Sequence, residues 1–254
     1  MQRLKGIVIP LMILLLWLIG SATESINQYI IPPPSRIWQT FLYLSASGVL
    51  LDHIAISLYR VFAGFLLTVM FAFPLAVLVG MNQRLAPFID PVLDFLGHIP
   101  PISCIPILIL WFGIDEASKL AVIILATFFP VFLNTANGIL GCSKQLLEVG
   151  DVFGFNTWDK FSRIIMPAAL PSIIVGFRLG LGYSWRSLIG AELIAASSGI
   201  GYMIIEAEQL SRPDIIIVGI LTIGLFGYMI DFCFFKLTNY LLPWNGKREL
   251  YGRS

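Results

Sequence analysis

The side chains able to do chemistry in this chain are few and scattered. His53 and His98 are the only histidines and fall in different segments. That placement removes multi-histidine metal sites and argues against a Ser-His nucleophilic pair. Cys104, Cys142 and Cys233 are odd in number and far apart in apolar stretches. They predict packing residues and neither a disulfide framework nor a zinc site. No G-x-x-x-x-G-K-[ST] loop is present to cradle phosphates, so any ATP must be bound by another chain. Gly180-Leu181-Gly182 lacks the preceding strand and third glycine of a dinucleotide site and reads as helix packing. What remains is a group of polar residues inside an apolar run: Arg178, Trp185, Arg186 and Glu192. A charge at mid-bilayer costs roughly 2.5 to 3.5 kcal/mol on insertion scales, so these residues need water, a partner charge or the protein interior. Two roles suit them equally: lining a solute path, or forming a structural pair of Arg178 or Arg186 with Asp231 or Glu192.

The elements that must position them are membrane helices. Of 254 residues, 57% are hydrophobic and 12% charged, and the mean hydropathy is +0.87. A soluble core cannot bury that much apolar surface. The net charge of +1 comes without clustered Lys and Arg, which argues against nucleic acid. Residues 6–23, 61–83, 95–114 and 120–143 contain no Asp, Glu, Lys or Arg, and each is long enough for a hydrocarbon core of roughly 30 Å. A fifth interval, about 170–196, carries the polar group above, and a sixth, 215–235, carries Asp231. The expected fold is an all-α polytopic membrane protein of about six transmembrane helices. Arg3 and Lys5 precede the first interval as in a signal sequence, but Ser21-Ala22-Thr23 makes no convincing small-x-small site, so a retained helix is expected. On a helical wheel, Gly176, Gly180, Ser184, Ser187 and Ala191 of the fifth interval share one face, and Arg178, Trp185 and Glu192 lie opposite. One face predicts packing, the other a polar lining.

Loop charges set the orientation. With the N-terminus in the cytoplasm, ten basic residues, among them Arg84, Lys144, Lys160, Arg163, Lys236 and Arg248, lie inside, leaving Arg36, Lys119 and Arg212 outside and Arg60 near the outer boundary. Both termini are then cytoplasmic, and residues 24–59, 115–119 and 197–214 face outward. In the first of these, Pro32-Pro33-Pro34 precedes Ser35, the expected N-cap of an interfacial helix carrying Ile37, Trp38, Phe41, Leu42 and Leu44 at amphipathic spacing. His53, Ser57 and Arg60 share one helix face, read as a polar boundary with Arg60 snorkelling to the headgroups.

The most informative stretch is the inward loop between the fourth and fifth intervals. It reads Glu148-Val149-Gly150, three residues, Gly154, nine residues, then Ile164-Ile165-Met166-Pro167. Two short helices joined at Gly154 make a bent knob, because glycine takes backbone angles that other residues resist. Phe153 and Phe155 flank the bend and Trp158 follows, aromatic anchors for docking. The stretch resembles the E-A-A-x3-G-x9-I-x-L-P signature of importer permeases in the ATP-binding-cassette superfamily, with Val149 and Gly150 replacing the alanines and Met166 the leucine. Asp90-Pro91, Ile99-Pro100-Pro101, Pro106, Leu110-Trp111-Phe112-Gly113-Ile114 and Ser118-Lys119 resemble the nitrate, sulfonate and taurine branch. So does Pro167-Ala168-Ala169-Leu170-Pro171, leading through Gly176 and Arg178 to Trp185 and Ala191-Glu192. The likeness runs from about Pro32 to Trp244. His98 departs from it, standing where that branch commonly carries arginine, and Arg186 matches no position of it.

The resemblance implies the type I importer permease fold. Its parts are an N-terminal transmembrane helix (1–23), an outward segment (24–59), a core (60–240) containing an ATPase-coupling loop (144–167), and a cytoplasmic tail (241–254). The coupling loop is expected to act through Glu148, Gly150, Phe153, Gly154, Phe155, Trp158 and Pro167. The implied protein is a transport subunit and not an enzyme, and it holds no cofactor or metal. Two cytoplasmic ATPases bind the ATP and Mg, a second permease copy completes the path, and an extracytoplasmic binding protein delivers substrate. The setting is the bacterial inner membrane. Branch members carry taurine, other sulfonates, nitrate, bicarbonate or thiamine-related pyrimidines, and Arg178 and Arg186 favour a small anion. A self-sufficient secondary transporter would need inverted repeats, and the two halves show none. An intramembrane enzyme would need convergent catalytic groups in the spans, and none converge.

Overall fold

Proline placement decides where this chain can and cannot run straight. In the computed structural model, residues 2–23, 25, 27–82 and 84–242 are described. Among these described residues, eleven α-helices follow one another: α1 (Gln2–Ala22), α2 (Pro34–Ala46), α3 (Val49–Met81), α4 (Ala86–Gly97), α5 (Ile105–Phe112), α6 (Glu116–Leu140), α7 (Lys144–Val152), α8 (Thr157–Lys160), α9 (Met166–Ala195), α10 (Ile200–Gln209) and α11 (Pro213–Leu241). A 3-10 turn (Pro101–Cys104) precedes α5, and a π turn (Phe161–Ile165) joins α8 to α9. The expected cytoplasmic tail, with Lys247, Arg248 and Arg253, lies beyond Leu242 and outside the described residues.

Among the described residues, four helical stretches are long and apolar enough to cross a membrane: Val49–Met81, Glu116–Leu140, Thr157–Ala195 and Pro213–Leu241. The interval expected to be one straight span at 95–114 is instead two pieces, Pro91–Gly97 and Pro101–Phe112, bent by 87°. Pro100 has an extended backbone (ψ 126°), and neither it nor Pro101 can donate a helical hydrogen bond, so the helix stops and restarts. In α1 the qualifying apolar stretch is shorter, Leu11–Ala22.

The chain divides into two units, residues 1–57 with 192–225 and residues 58–191 with 226–254. In the second, glycines set helix spacing. A Cβ on Gly64 would lie 2.6 Å from Ile123, and one on Gly80 would lie 2.9 Å from Ile139. Both contacts advance by the same number of residues along α3 and α6, so these helices run parallel and the bent α4–α5 segment must carry the chain back between them. Gly138 meets Ser172, Gly176 meets Asn134, and Gly180 meets Val131 and Thr127, an antiparallel α6–α9 contact. Around it, Val79, Val131, Phe132 and Ala136 belong to one buried cluster, and Ile139, Ile165, Ala169 and Ile173 form another. Where lipid rather than water is the alternative, close backbone approach through small residues is what holds helices together.

In the first unit, α2 begins at Pro34 with Pro33 as its cap and no side-chain capping bond. Ser35 is therefore not the N-cap. Proline suits the first helical position because its missing N–H would be unpaired there anyway. Ile37, Thr40 and Leu44 are buried, and Thr40 donates to Asp214 Oδ2 (2.8 Å), whose carboxylate also takes a fork from Arg212 (3.0 and 2.7 Å). Trp38, Leu42 and Tyr43 are exposed.

Candidate functional site

The inward loop is built around one backbone requirement. Gly154 has φ +69°, and a Cβ there would touch nothing within 4 Å, so the residue is needed for its backbone angle and not for space. Phe155 N–H donates to the Gly150 carbonyl (2.9 Å) and Gly154 N–H to the Asp151 carbonyl (2.9 Å). This is the Schellman pairing that closes a helix on a left-handed glycine. Gly150 is buried, and a Cβ on it would lie 2.8 Å from Ile164, so its size sets how closely α7 folds back on the turn before α9. Lys160 pairs with Asp151 across the bend, and Asn156 caps α8 by accepting from Asp159 N–H (2.9 Å).

The aromatic residues of the loop are not equivalent. Phe153 is 72% and Trp158 71% exposed, while Phe155 is half-buried with the Arg163 guanidinium 5.4 Å over its ring. Phe155 is thus already engaged within the chain, unlike the free anchor expected from its position. Glu148 and Pro167 are exposed. Pro167 cannot donate to the Arg163 carbonyl, and the helix widens just before it: Met166 N–H reaches back to Phe161, a π turn. At the loop's start, burial pushes the Cys142 thiol up, which makes it a poor nucleophile.

The π turn leads directly into α9, whose two faces differ. Gly176, Gly180 and Ser184 lie against α6, with Ser184 Oγ 2.6 Å from Thr127 Oγ1 and Ser172 donating to the Asn134 carbonyl (2.8 Å). Ser187 is half-buried, and Ala191 sits with Ile105, Leu108 and Val122 in a third buried cluster. On the other face, Arg178 makes a two-pronged pair with Asp231 of α11 (2.7 and 2.8 Å). Trp185 is buried against Gly227. Arg178, Trp185, Arg186 and Asp231 line one cavity of about 150 Å³, and Arg178, Tyr183 and Arg186 line a second of about 280 Å³ beside it. Arg186 is exposed, with its guanidinium 6.0 Å from the centre of the Tyr183 ring. The arrangement offers a fixed cation, already balanced by a carboxylate, next to one that is open.

Glu192 is not among the residues lining either cavity. It is fully buried in the first unit, where it accepts from Ser57 Oγ (2.8 Å) and from Gly201 N–H (2.9 Å). Ser57 Oγ in turn accepts from Ile200 N–H (3.0 Å), and His53 Nδ1 accepts from Gly199 N–H (3.0 Å). Three successive amides at the start of α10 are therefore capped in trans, and the carboxylate faces the positive end of that helix. Gly199, at φ +112°, leaves no room for a side chain: a Cβ would lie 2.2 Å from Glu192 Oε1.

Arg60 does not snorkel. It is 1% exposed and forks onto Glu116 (2.7 and 2.6 Å), which also takes the buried Lys119 (3.1 Å). A buried guanidinium paired bidentately is more stable than one stretched to an interface when a carboxylate is within reach. Sequence reasoning missed Glu116 as a partner. The spacing of His53, Ser57 and Arg60 was the signal, but it marked a capping and pairing face where a wetted one was expected. Cys233 is likewise exposed on α11 and not packed.

Residues 64–245 match the family described as binding-protein-dependent transport system inner membrane component. A Bacillus subtilis protein provisionally named aliphatic sulfonates transport permease SsuC is 39% identical, over 97% of this chain and 89% of that protein. The taurine transport system permease protein TauC of Escherichia coli is 29% identical over 92% of this chain and 87% of its own length. The bicarbonate transport system permease protein CmpB of Synechococcus elongatus is 30% identical over 91% and 87%. With that match covering the bent pair, the glycine-hinged loop and the two-faced α9, the chain belongs to the family of inner-membrane permease components of binding-protein-dependent, ATP-binding-cassette transport systems.

Proposed function

We propose that this chain forms half of the membrane path of an importer for a small organic anion of the sulfonate class, two copies pairing with two cytoplasmic ATPases and one extracytoplasmic binding protein. The observation that carries the reading is the loop at Gly154: Val152, Phe153 and Trp158 stand exposed at its surface, on the side of the membrane to which most Lys and Arg belong. An apolar tip of that kind, held by a glycine hinge and an ion pair, is built to be covered by a partner. The ATPases supply ATP and Mg, and this chain holds neither.

The loop's mechanical consequence follows from connectivity. No flexible linker separates α8 from α9, so a displacement of the Gly154 knob is delivered to α9 and to Arg178, Trp185 and Arg186 on it. Alternating access is then rocking of α9 against its counterpart in the second copy, driven by ATPase closure. Both termini are cytoplasmic in this arrangement, and α2 and α10 face the binding protein. The relatives named for sulfonates, taurine and bicarbonate handle solutes with an anionic group, and the open Arg186 beside the balanced Arg178 is suited to pass one without trapping it. The test is purification of tagged chain from native membranes. An ATPase and a sulfonate-binding protein should accompany the wild type, and Gly154→Val should lose the ATPase while remaining in the membrane; normal retention by that variant contradicts the coupling role.

A further inference from the structure

At the loop end of α3 and α6 lies a cavity of about 620 Å³ that the transport reading does not use. Three cations from three separate segments line it: Arg84 between α3 and α4, Lys144 at the start of α7, and Lys160 at the end of α8. No carboxylate is among its lining residues. Lys160 is engaged by Asp151, whereas Arg84 and Lys144 form no ion pair among the described residues. A second hollow of about 460 Å³ shares Met81, Asn82 and Thr157 with the first, and its remaining wall is Val77, Leu78, Trp158 and Phe161. Leu78 and Trp158 are exposed large apolar side chains at this point.

A basic chamber that opens into an apolar slot, at the level where membrane helices end, has the two-part chemistry of a lipid. A soluble phosphate satisfies only the basic half. We infer that the pair of hollows binds one anionic phospholipid of the cytoplasmic leaflet, its headgroup phosphate at Arg84, Lys144 and Lys160 and an acyl chain along Val77, Leu78 and Phe161. With Lys160 already balanced by Asp151 and no ion pair at Arg84 or Lys144 among the described residues, the excess of cations selects a net-negative lipid over a zwitterionic one. Because the hollows join the end of α3 to α8, the bound lipid ties the knob that follows Gly154 to the transmembrane core. The inference rests on the loop facing the cytoplasm.

The test uses the full chain purified in mild detergent and observed by native mass spectrometry with phosphatidylglycerol and phosphatidylcholine titrated in turn. One phosphatidylglycerol should be retained per chain, and inorganic phosphate at the same concentration should not displace it. At about fivefold per cation, Arg84→Gln with Lys144→Gln should weaken retention about 25-fold. Should the double variant fail to reach the membrane, Arg84→Gln alone should weaken it about fivefold, and Leu78→Gln should weaken it through the apolar half. Equal retention of both lipids, or unchanged retention in the variants, overturns the site, and displacement by inorganic phosphate assigns it to a soluble anion and overturns the lipid. A Lys144→Cys variant that reacts with impermeant reagents from outside would overturn the orientation and with it the cytoplasmic leaflet assigned to the lipid, while retention tests the lipid site separately.

Discussion

Glycine is required at positions 154 and 150 for different reasons, and the two can be separated by choice of substituent. At 154 the demand is φ +69° in open space. A β-branched residue there costs about 1–3 kcal/mol, whereas asparagine tolerates the left-handed region. Gly154→Asn should therefore retain the ATPase and support uptake where Gly154→Val does not, at equal membrane abundance by immunoblot. At 150 the demand is space, since Ile164 stands 2.8 Å from where a Cβ would be. Gly150→Asn should be the worse substitution of the two asparagine variants. The α10 cap gives a second residue-scale prediction. Ser57→Ala removes the acceptor for Ile200 N–H and a donor to buried Glu192, a loss of about 1–3 kcal/mol for groups left unsatisfied. It should lower the midpoint of thermal unfolding and loosen α10, read as faster amide exchange at residues 199–201. Unchanged exchange there would mean that the cap does not hold the helix.

At the scale of elements, the α6–α9 contact is set by close approach and should fail when widened. Gly180→Leu meets Val131 at 2.9 Å and Thr127 at 3.0 Å, whereas a Cβ on Gly182 meets nothing within 4 Å. Overpacking of this kind costs about 1–3 kcal/mol. Gly180→Leu should destabilise the isolated permease in detergent and Gly182→Leu should not; equal stability would mean the packing face is elsewhere. The all-helical fold and the glycine bend were legible in the sequence because each is local: charge-free intervals of bilayer length, and a glycine between two short helices. Of the six expected spans, four stand as single long helices among the described residues. The course of residues 95–114 was not read correctly, although Pro100 and Pro101 were visible, because absence of charge is blind to a break in the backbone. The partners of Arg60 and Glu192 were out of reach for another reason. Glu116 and Ser57 are 56 and 135 residues away from them, and no local periodicity encodes such a pairing. Arg178 with Asp231 was one of several combinations open to the sequence, and geometry selects it.

For the whole molecule, the four long apolar helices and the bent pair, counted as one, give up to five crossings between Val49 and Leu241 among the described residues. An odd number puts those two ends on opposite faces, and the loop charges favour the face of Leu241 as the cytoplasmic one. A cysteine at Ser211, in the turn between α10 and α11, should accordingly react with impermeant reagents from outside, and a reporter after Ser254 should be active inside; the reverse pattern would invert the orientation. The central claim is that this subunit turns ATPase closure into solute movement through the Gly154 loop and α9. Its most direct measurement is ATP-dependent uptake of a labelled alkanesulfonate into proteoliposomes holding the permease, its ATPase and its binding protein. Wild type should accumulate the solute only with ATP and binding protein, and Gly154→Val should abolish uptake at unchanged permease content. Full uptake by Gly154→Val, or accumulation by the permease without the ATPase, would contradict the account.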